Sequence, residues 1–196
     1  MTLVSRYHSL LVALHWMLAV LIIAALALGA LVMVKIPNTD PMKIEALRSH
    51  MIGGGLILVL TLVRLFVRVR TEHPAPASAG HPLLDWLAWA SHRVLYGAVL
   101  ALAISGLIMA LQTGLPAILF GGGALPADFW VYPIRSVHYL ISRVLMTVIA
   151  LHIVGAHYHT LLLRDGLLRR MFFGRRIVAA ADGAPALTKP ISGTRS

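Results

Sequence analysis

The 196-residue chain is 59% hydrophobic and only 12% charged, which excludes an ordinary soluble domain and fits a polytopic membrane protein. Its 17 Lys and Arg against 7 acids give a net charge of +10. These charges flank apolar runs and form no soluble basic face, which excludes nucleic-acid binding as a function class. With no cysteine, disulfides, thiolate metal sites, iron–sulfur clusters and covalent C-x-x-C-H attachment are excluded too. Any cofactor is therefore held by nitrogen or oxygen ligands.

A helix that crosses a bilayer needs about 20 mostly apolar residues. The first run of that kind is Leu10–Val34. No A-x-A-like cleavage site follows it and a second span comes directly after, so it is a retained helix and not a signal peptide. An outward loop, Lys35–Ser49, carries the turn-rich "PNTDP" and leads to the second span, His50–Val67. The next loop, Arg68–Asp85, contains "EHPAPASAGHP", too rich in Pro and Ala for a helix. The third span is Trp86–Leu111. It opens into an outward loop, Gln112–Arg135, whose "FGGGALPADFWVYP" predicts a folded-back cap. The fourth span is Val137–Leu163. From about Gly174 the tail "RRIVAAADGAPALTKPISGTRS" has neither apolar periodicity nor bulk and reads as disordered beyond a membrane-surface anchor.

The pattern predicts an all-α, integral-membrane four-helix bundle over residues 1–171, with a tail over 172–196. Basic residues crowd one side: Arg6, Arg64, Arg68, Arg70 and Arg93, then Arg164 and the tail. The other side holds Lys35, Lys43, Arg48 and Arg135. The positive-inside rule then places both termini in the cytoplasm. Arg143, inside the fourth span, has no account at this stage.

Histidine is where the spans depart from plain lipid-facing helices. The fourth reads "SVHYLISRVLMTVIALHIVGAHYHT", with His138, His152, His157 and His159. His73 and His81 belong to a cytoplasmic loop, and His8 and His92 to helix entrances. His15, His50, His138 and His152 fall within or at the edge of apolar runs, where an ionisable group marks function. Fourteen residues from His138 to His152 are nearly four turns, so both point one way about 20 Å apart. By depth His50 matches His138 near the outer surface, and His15 matches His152 near the inner one. An imidazole pair between helices is what an axially ligated haem requires. Two histidines without Cys or carboxylate do not complete a zinc tetrahedron. A proton relay needs acids within the spans, and they hold none.

Neighbouring residues admit two readings each. Gly53, Gly54 and Gly55 after His50, and Gly155 after His152, let a flat ring approach the backbone or let helices pack closely. Arg64, fourteen residues beyond His50, lies at the inner level, where its fork can pair with haem propionates or reach lipid phosphate. His159 repeats the face of His152 about 10 Å nearer the cytoplasm. It can meet a quinone carbonyl, a propionate or lipid. Lys43, Arg48 and Arg135 are either a cationic funnel for a small anion or solvated loop charge.

Several stretches together carry a resemblance. They are "RYHSLLVALHW" around His15, "RSHMIGG" around His50, "RLFVR" closing the second span, "SHRVLYGAVLALAISGLIMA" in the third and "FGGGALPA" in the outer loop. His138-x13-His152 followed by "RDGLLRRM" completes the set. To about Met171 the chain resembles the bacterial cytochrome b561 family, small four-helix dihaem proteins of the inner membrane. The resemblance implies two b haems held by His15, His50, His138 and His152. Within the family the chain looks most like superoxide oxidases. That implies an oxidoreductase taking electrons from periplasmic superoxide and reducing ubiquinone near the cytoplasmic side. That subfamily carries adjacent histidines one heptad after the inner ligand; here His159 keeps the first position and Thr160 stands at the second. Short outer loops favour a self-contained enzyme that needs no protein partner. The other reading is an electron-relay subunit passing electrons from a dehydrogenase or hydrogenase to quinone.

Overall fold

The computed structural model describes residues 2–75, 78, 80–164, 166–174 and 177–180. Four helices are long and apolar enough to cross a membrane. The first, α1 (Ser9–Ala27), continues through a π-helical turn, Leu28–Val32, and a 3-10 turn, Met33–Lys35. It is followed by α2 (Pro41–Arg70) and α3 (Pro82–Gln112). A short α4 (Leu115–Gly121) precedes α5 (Pro133–Tyr158), which ends in a second π-helical turn, His159–Leu163. At 1.5 Å per residue each span exceeds the roughly 30 Å hydrocarbon core, so helix ends project into the headgroup layers.

Three helices begin earlier than their apolar runs, and each has a local reason. Asp40 caps α2 by accepting from the Met42 amide, with Pro41 in the first turn. His81 caps α3 through the Leu83 amide, followed by Pro82. Tyr132 precedes Pro133 at the start of α5. An Asp cap and a proline with its fixed φ start a helix irrespective of hydropathy. The expected loop over Lys35–Ser49 therefore shrinks to residues 36–40, and His50 stands about 13 Å inside α2 instead of at its mouth.

One residue from each span meets at the centre. Leu18, Ile57, Val99 and Leu145 form a buried layer, with Leu21, Ile22, Leu60, Leu95 and Ile149 packed around it. A second cluster closes the outer end. Here α4 folds back so that Leu115 and Leu119 bury against Leu47 and Ala110. Arg48 fastens this cap by donating from Nε (3.1 Å) and Nη2 (2.5 Å) to the Leu119 carbonyl at the end of α4.

At the opposite end the two ends of the chain are laced together. Strand β1 (Thr2–Val4) pairs antiparallel with β2 (Val178–Ala180), a ribbon that hydropathy did not predict. A 3-10 turn, Leu167–Met171, lies between α5 and β2. Arg6 donates to the Arg169 carbonyl at 2.7 Å, and the Trp16 indole donates to the Met171 carbonyl at 2.8 Å. Arg170 reaches the Ala75 carbonyl in the α2–α3 loop. The tail expected to be disordered, 172–196, carries β2 in its described part, while Arg175, Arg176 and residues 181–196 lie outside the described residues.

Candidate functional site

The side chains that meet at two levels are the histidines. His50, nine residues into α2, and His138, five residues into α5, bring their ring centroids to 6.3 Å with planes at 75°. His15, early in α1, and His152, late in α5, stand 6.4 Å apart at 72°. Two metal–nitrogen bonds of about 2 Å, plus the reach from each nitrogen to its ring centre, set such centroids about 6 Å apart across one ion. Leu145 lies seven residues from each of His138 and His152, so the buried leucine layer separates the two levels.

Around the outer pair the backbone comes unusually close. A Cβ added at Gly106 of α3 would stand 3.2 Å from His138 Cε1, and one at Gly29 would stand 3.5 Å from His50 Cε1. Gly29 belongs to the π-helical turn of α1, and such turns recur at functional sites. Ser105 Oγ lies 3.0 Å from His138 Nδ1. His50 Nδ1 is buried without a hydrogen-bond partner. At Gly53, Gly54, Gly55 and Gly155 nothing beyond the chain neighbours and the helix's own nearby backbone comes within 4 Å of an added Cβ. Gly29, Gly106 and Ser105 carried no sequence signal, because nothing in a span's hydropathy says which face meets a ligand.

The inner level holds a third imidazole. His92, expected at a helix entrance, stands ten residues inside α3 with its ring 5.2 Å from His152 at 85°. Its Nδ1 donates to the Ala88 carbonyl at 2.6 Å. The early start of α3 at Pro82 puts His92 nearly three turns inside the helix, on an exposed face beside His152. Arg64 donates from Nε to Tyr96 Oη at 2.9 Å and from Nη1 to the Leu11 carbonyl, which ties α2 to α1 and α3. One turn before it, Thr61 Oγ1 is buried without a hydrogen-bond partner. His159 is buried in the closing π turn beside Tyr158, whereas His157 faces outward with Nδ1 on the Ile153 carbonyl.

A family model described as prokaryotic cytochrome b561 matches residues 6–174. The chain belongs to that family. Among curated relatives, it is 27% identical over 176 residues to "Cytochrome b561 homolog 2" of Escherichia coli (strain K12), covering 85% of this chain and 91% of the relative. It is also 27% identical over 178 residues to "Probable superoxide oxidase CybB" of Yersinia pestis, covering 88% and 98%. The cytochrome is thus an all-α, multi-pass protein of the bacterial inner membrane that carries electrons across it. The family implies haem b, and the residues present fit that group. Imidazoles come in facing pairs at iron-spanning separation, and His50 Nδ1 and Thr61 Oγ1 are buried polar atoms left unpaired. Among the described residues no cluster of three or more His, Asp or Glu is placed to hold a metal ion otherwise.

The three outer cations of this cytochrome occupy different settings. Lys43 is buried, its ammonium donating to the Met33 and Ile36 carbonyls at 2.5 and 2.9 Å, so it caps the end of the first span. Arg48 is paired with Glu45 at 2.5 Å besides holding α4. Arg135 stacks its guanidinium 4.5 Å over Trp130 and 6.0 Å from Tyr139. Arg143 stacks 4.8 Å over Tyr139, one turn nearer the outer surface. An arginine within the span is thereby drawn outward along an aromatic ladder, which accounts for its place.

Proposed function

We propose that this cytochrome is a superoxide:ubiquinone oxidoreductase with two haems b, the outer held by His50 and His138 and the inner by His15 and His152. The observation that carries the reading is the pair of facing imidazole sets at two levels of one bundle. Haem b, held by one imidazole from each of two helices, would supply a one-electron carrier at each level. The chemistry balances as two superoxide anions, one ubiquinone and two protons giving two oxygen molecules and one ubiquinol.

The chain's own side chains supply the rest. Arg135 attracts the anion at the outer face, with Lys43 and Arg48 adding long-range charge. The Leu18, Ile57, Val99 and Leu145 layer keeps water out between the levels. Arg64 keeps further guanidinium N–H groups for a propionate after serving Leu11 and Tyr96. His159 hydrogen-bonds the quinone and hands it a proton. The basic end, where Arg6, Arg169 and Arg170 lace the chain termini, faces the cytoplasm. The superoxide assignment is supported by the relative named probable superoxide oxidase.

Stopped-flow mixing of purified protein with superoxide tests the reading, with the b-haem band as the signal and superoxide dismutase as the control. Reduction without any partner protein, followed by reoxidation with a soluble ubiquinone, is the expected result. Reduction seen only with an added dehydrogenase or hydrogenase would replace the enzyme with a relay subunit.

A further inference from the structure

Ser105 lies on α3 facing the outer histidine of α5. Its Oγ stands 3.0 Å from His138 Nδ1 and 2.9 Å from the Leu102 carbonyl. A carbonyl only accepts, so the hydroxyl proton goes to Leu102 and an oxygen lone pair is left toward the ring. His138 Nδ1 then carries the proton and donates it to Ser105, while Nε2 keeps the lone pair that a metal ligand needs. Ser105 is 3% exposed, so water does not compete for the ring. The adjacent Gly106 brings the α3 backbone against the same imidazole, where even a Cβ would stand only 3.2 Å from Cε1.

The other three histidines lack a hydroxyl of this kind: the acceptor beside the His50 ring is the Ala25 backbone, and no side chain hydrogen-bonds its Nδ1. Among the described residues, His15 and His152 meet neighbouring side chains through ring contacts, with Trp16 and each other for His15 and with His92 for His152. The outer histidines thus each meet a backbone carbonyl, Leu102 for His138 and Ala25 for His50, and of the four only His138 adds a side-chain hydroxyl among the described residues.

We propose that Ser105 is a positioning residue that fixes the tautomer of His138 and polarises it, holding the outer haem at a lower reduction potential than the inner one. An Nδ1–H engaged by an acceptor makes imidazole a stronger donor and favours the oxidised form of the iron it binds. Electron flow from the outer to the inner level is then downhill. The proposal rests on the ligand assignment above.

Optical redox titration of the purified holoprotein tests it, comparing wild type with Ser105→Ala and Ser105→Thr. His50→Ala and His152→Ala, each keeping one haem, assign the two components. Ser105→Ala shifts the outer component's equilibrium about tenfold toward the reduced form, which is 59 mV for one electron. The inner component and the haem content stay unchanged, and Ser105→Thr, which keeps the hydroxyl, restores the outer potential. Movement of both components together, of neither, or a Thr variant that behaves like Ala overturns the role of Ser105. Retention of both haems in His50→Ala would mean that the ligand assignment has failed, and the proposal falls with it. Loss of one haem there with no shift in Ser105→Ala overturns Ser105 alone.

Discussion

Removing one imidazole of a facing pair would take away one of the two rings proposed to hold the haem there, while the pair at the other level keeps both of its rings. His50→Ala or His138→Ala should therefore lose or alter the outer haem and spare the inner one. His15→Ala or His152→Ala should do the reverse, as counted by pyridine haemochrome on each purified variant. Gly106→Ala probes the same level without replacing a ligand. Its new methyl would stand 3.2 Å from His138 Cε1, so an overpacking cost of about 1–3 kcal/mol is expected. A lowered thermal midpoint of the outer haem signal checks it. The four histidines were legible because imidazole is conspicuous in an apolar run. Ser105 and Gly106 were not, since small residues are common in any packed span. His92 was misplaced because its position depends on where α3 starts, and that is decided by His81 and Pro82.

Helix ends here follow capping chemistry more closely than hydropathy. Asp40–Pro41 reads as a turn by composition, yet it is a cap followed by a first-turn proline, and it lengthens α2 by nine residues ahead of His50. The fold-back of α4 was visible as a Gly- and Pro-rich loop, but its anchoring by Arg48 was not, because a backbone acceptor such as the Leu119 carbonyl has no sequence signature. The same holds for the ribbon of β1 and β2, whose strands are three residues each. This inner clasp makes its own prediction. Trp16→Phe keeps the ring against Phe172 but deletes the indole donor to the Met171 carbonyl. A loss of about 0.5–1.5 kcal/mol is expected for one such bond. Faster amide exchange over residues 167–174 with both haems retained would show it; unchanged exchange would mean that the contacts of Arg6, Tyr7 and Arg170 hold the segment without the indole.

Across the whole molecule, charge and cofactor levels define a direction. The basic, laced end and the capped end differ in what they offer a small anion. Among the described residues of the capped end, Lys43 and Arg48 are engaged by carbonyls and by Glu45, whereas the Arg135 guanidinium makes ring contacts with Trp130 and Tyr139. Steering weakens as the Debye length falls from about 30 Å at 0.01 M salt to about 10 Å at 0.1 M. The superoxide rate should fall over that range, and Arg135→Glu should lower it about tenfold at low salt with haem content intact. A rate indifferent to both would remove the funnel and leave the electron path standing. His159→Ala should keep both haem spectra while slowing reoxidation by a soluble ubiquinone, and unchanged kinetics would remove His159 from the quinone site. All of this depends on two haems stacked in one bundle. Haem quantitation of the purified chain by pyridine haemochrome, set against its protein concentration, tests that most directly. The account predicts two b haems per chain, and a value of one or none would contradict it.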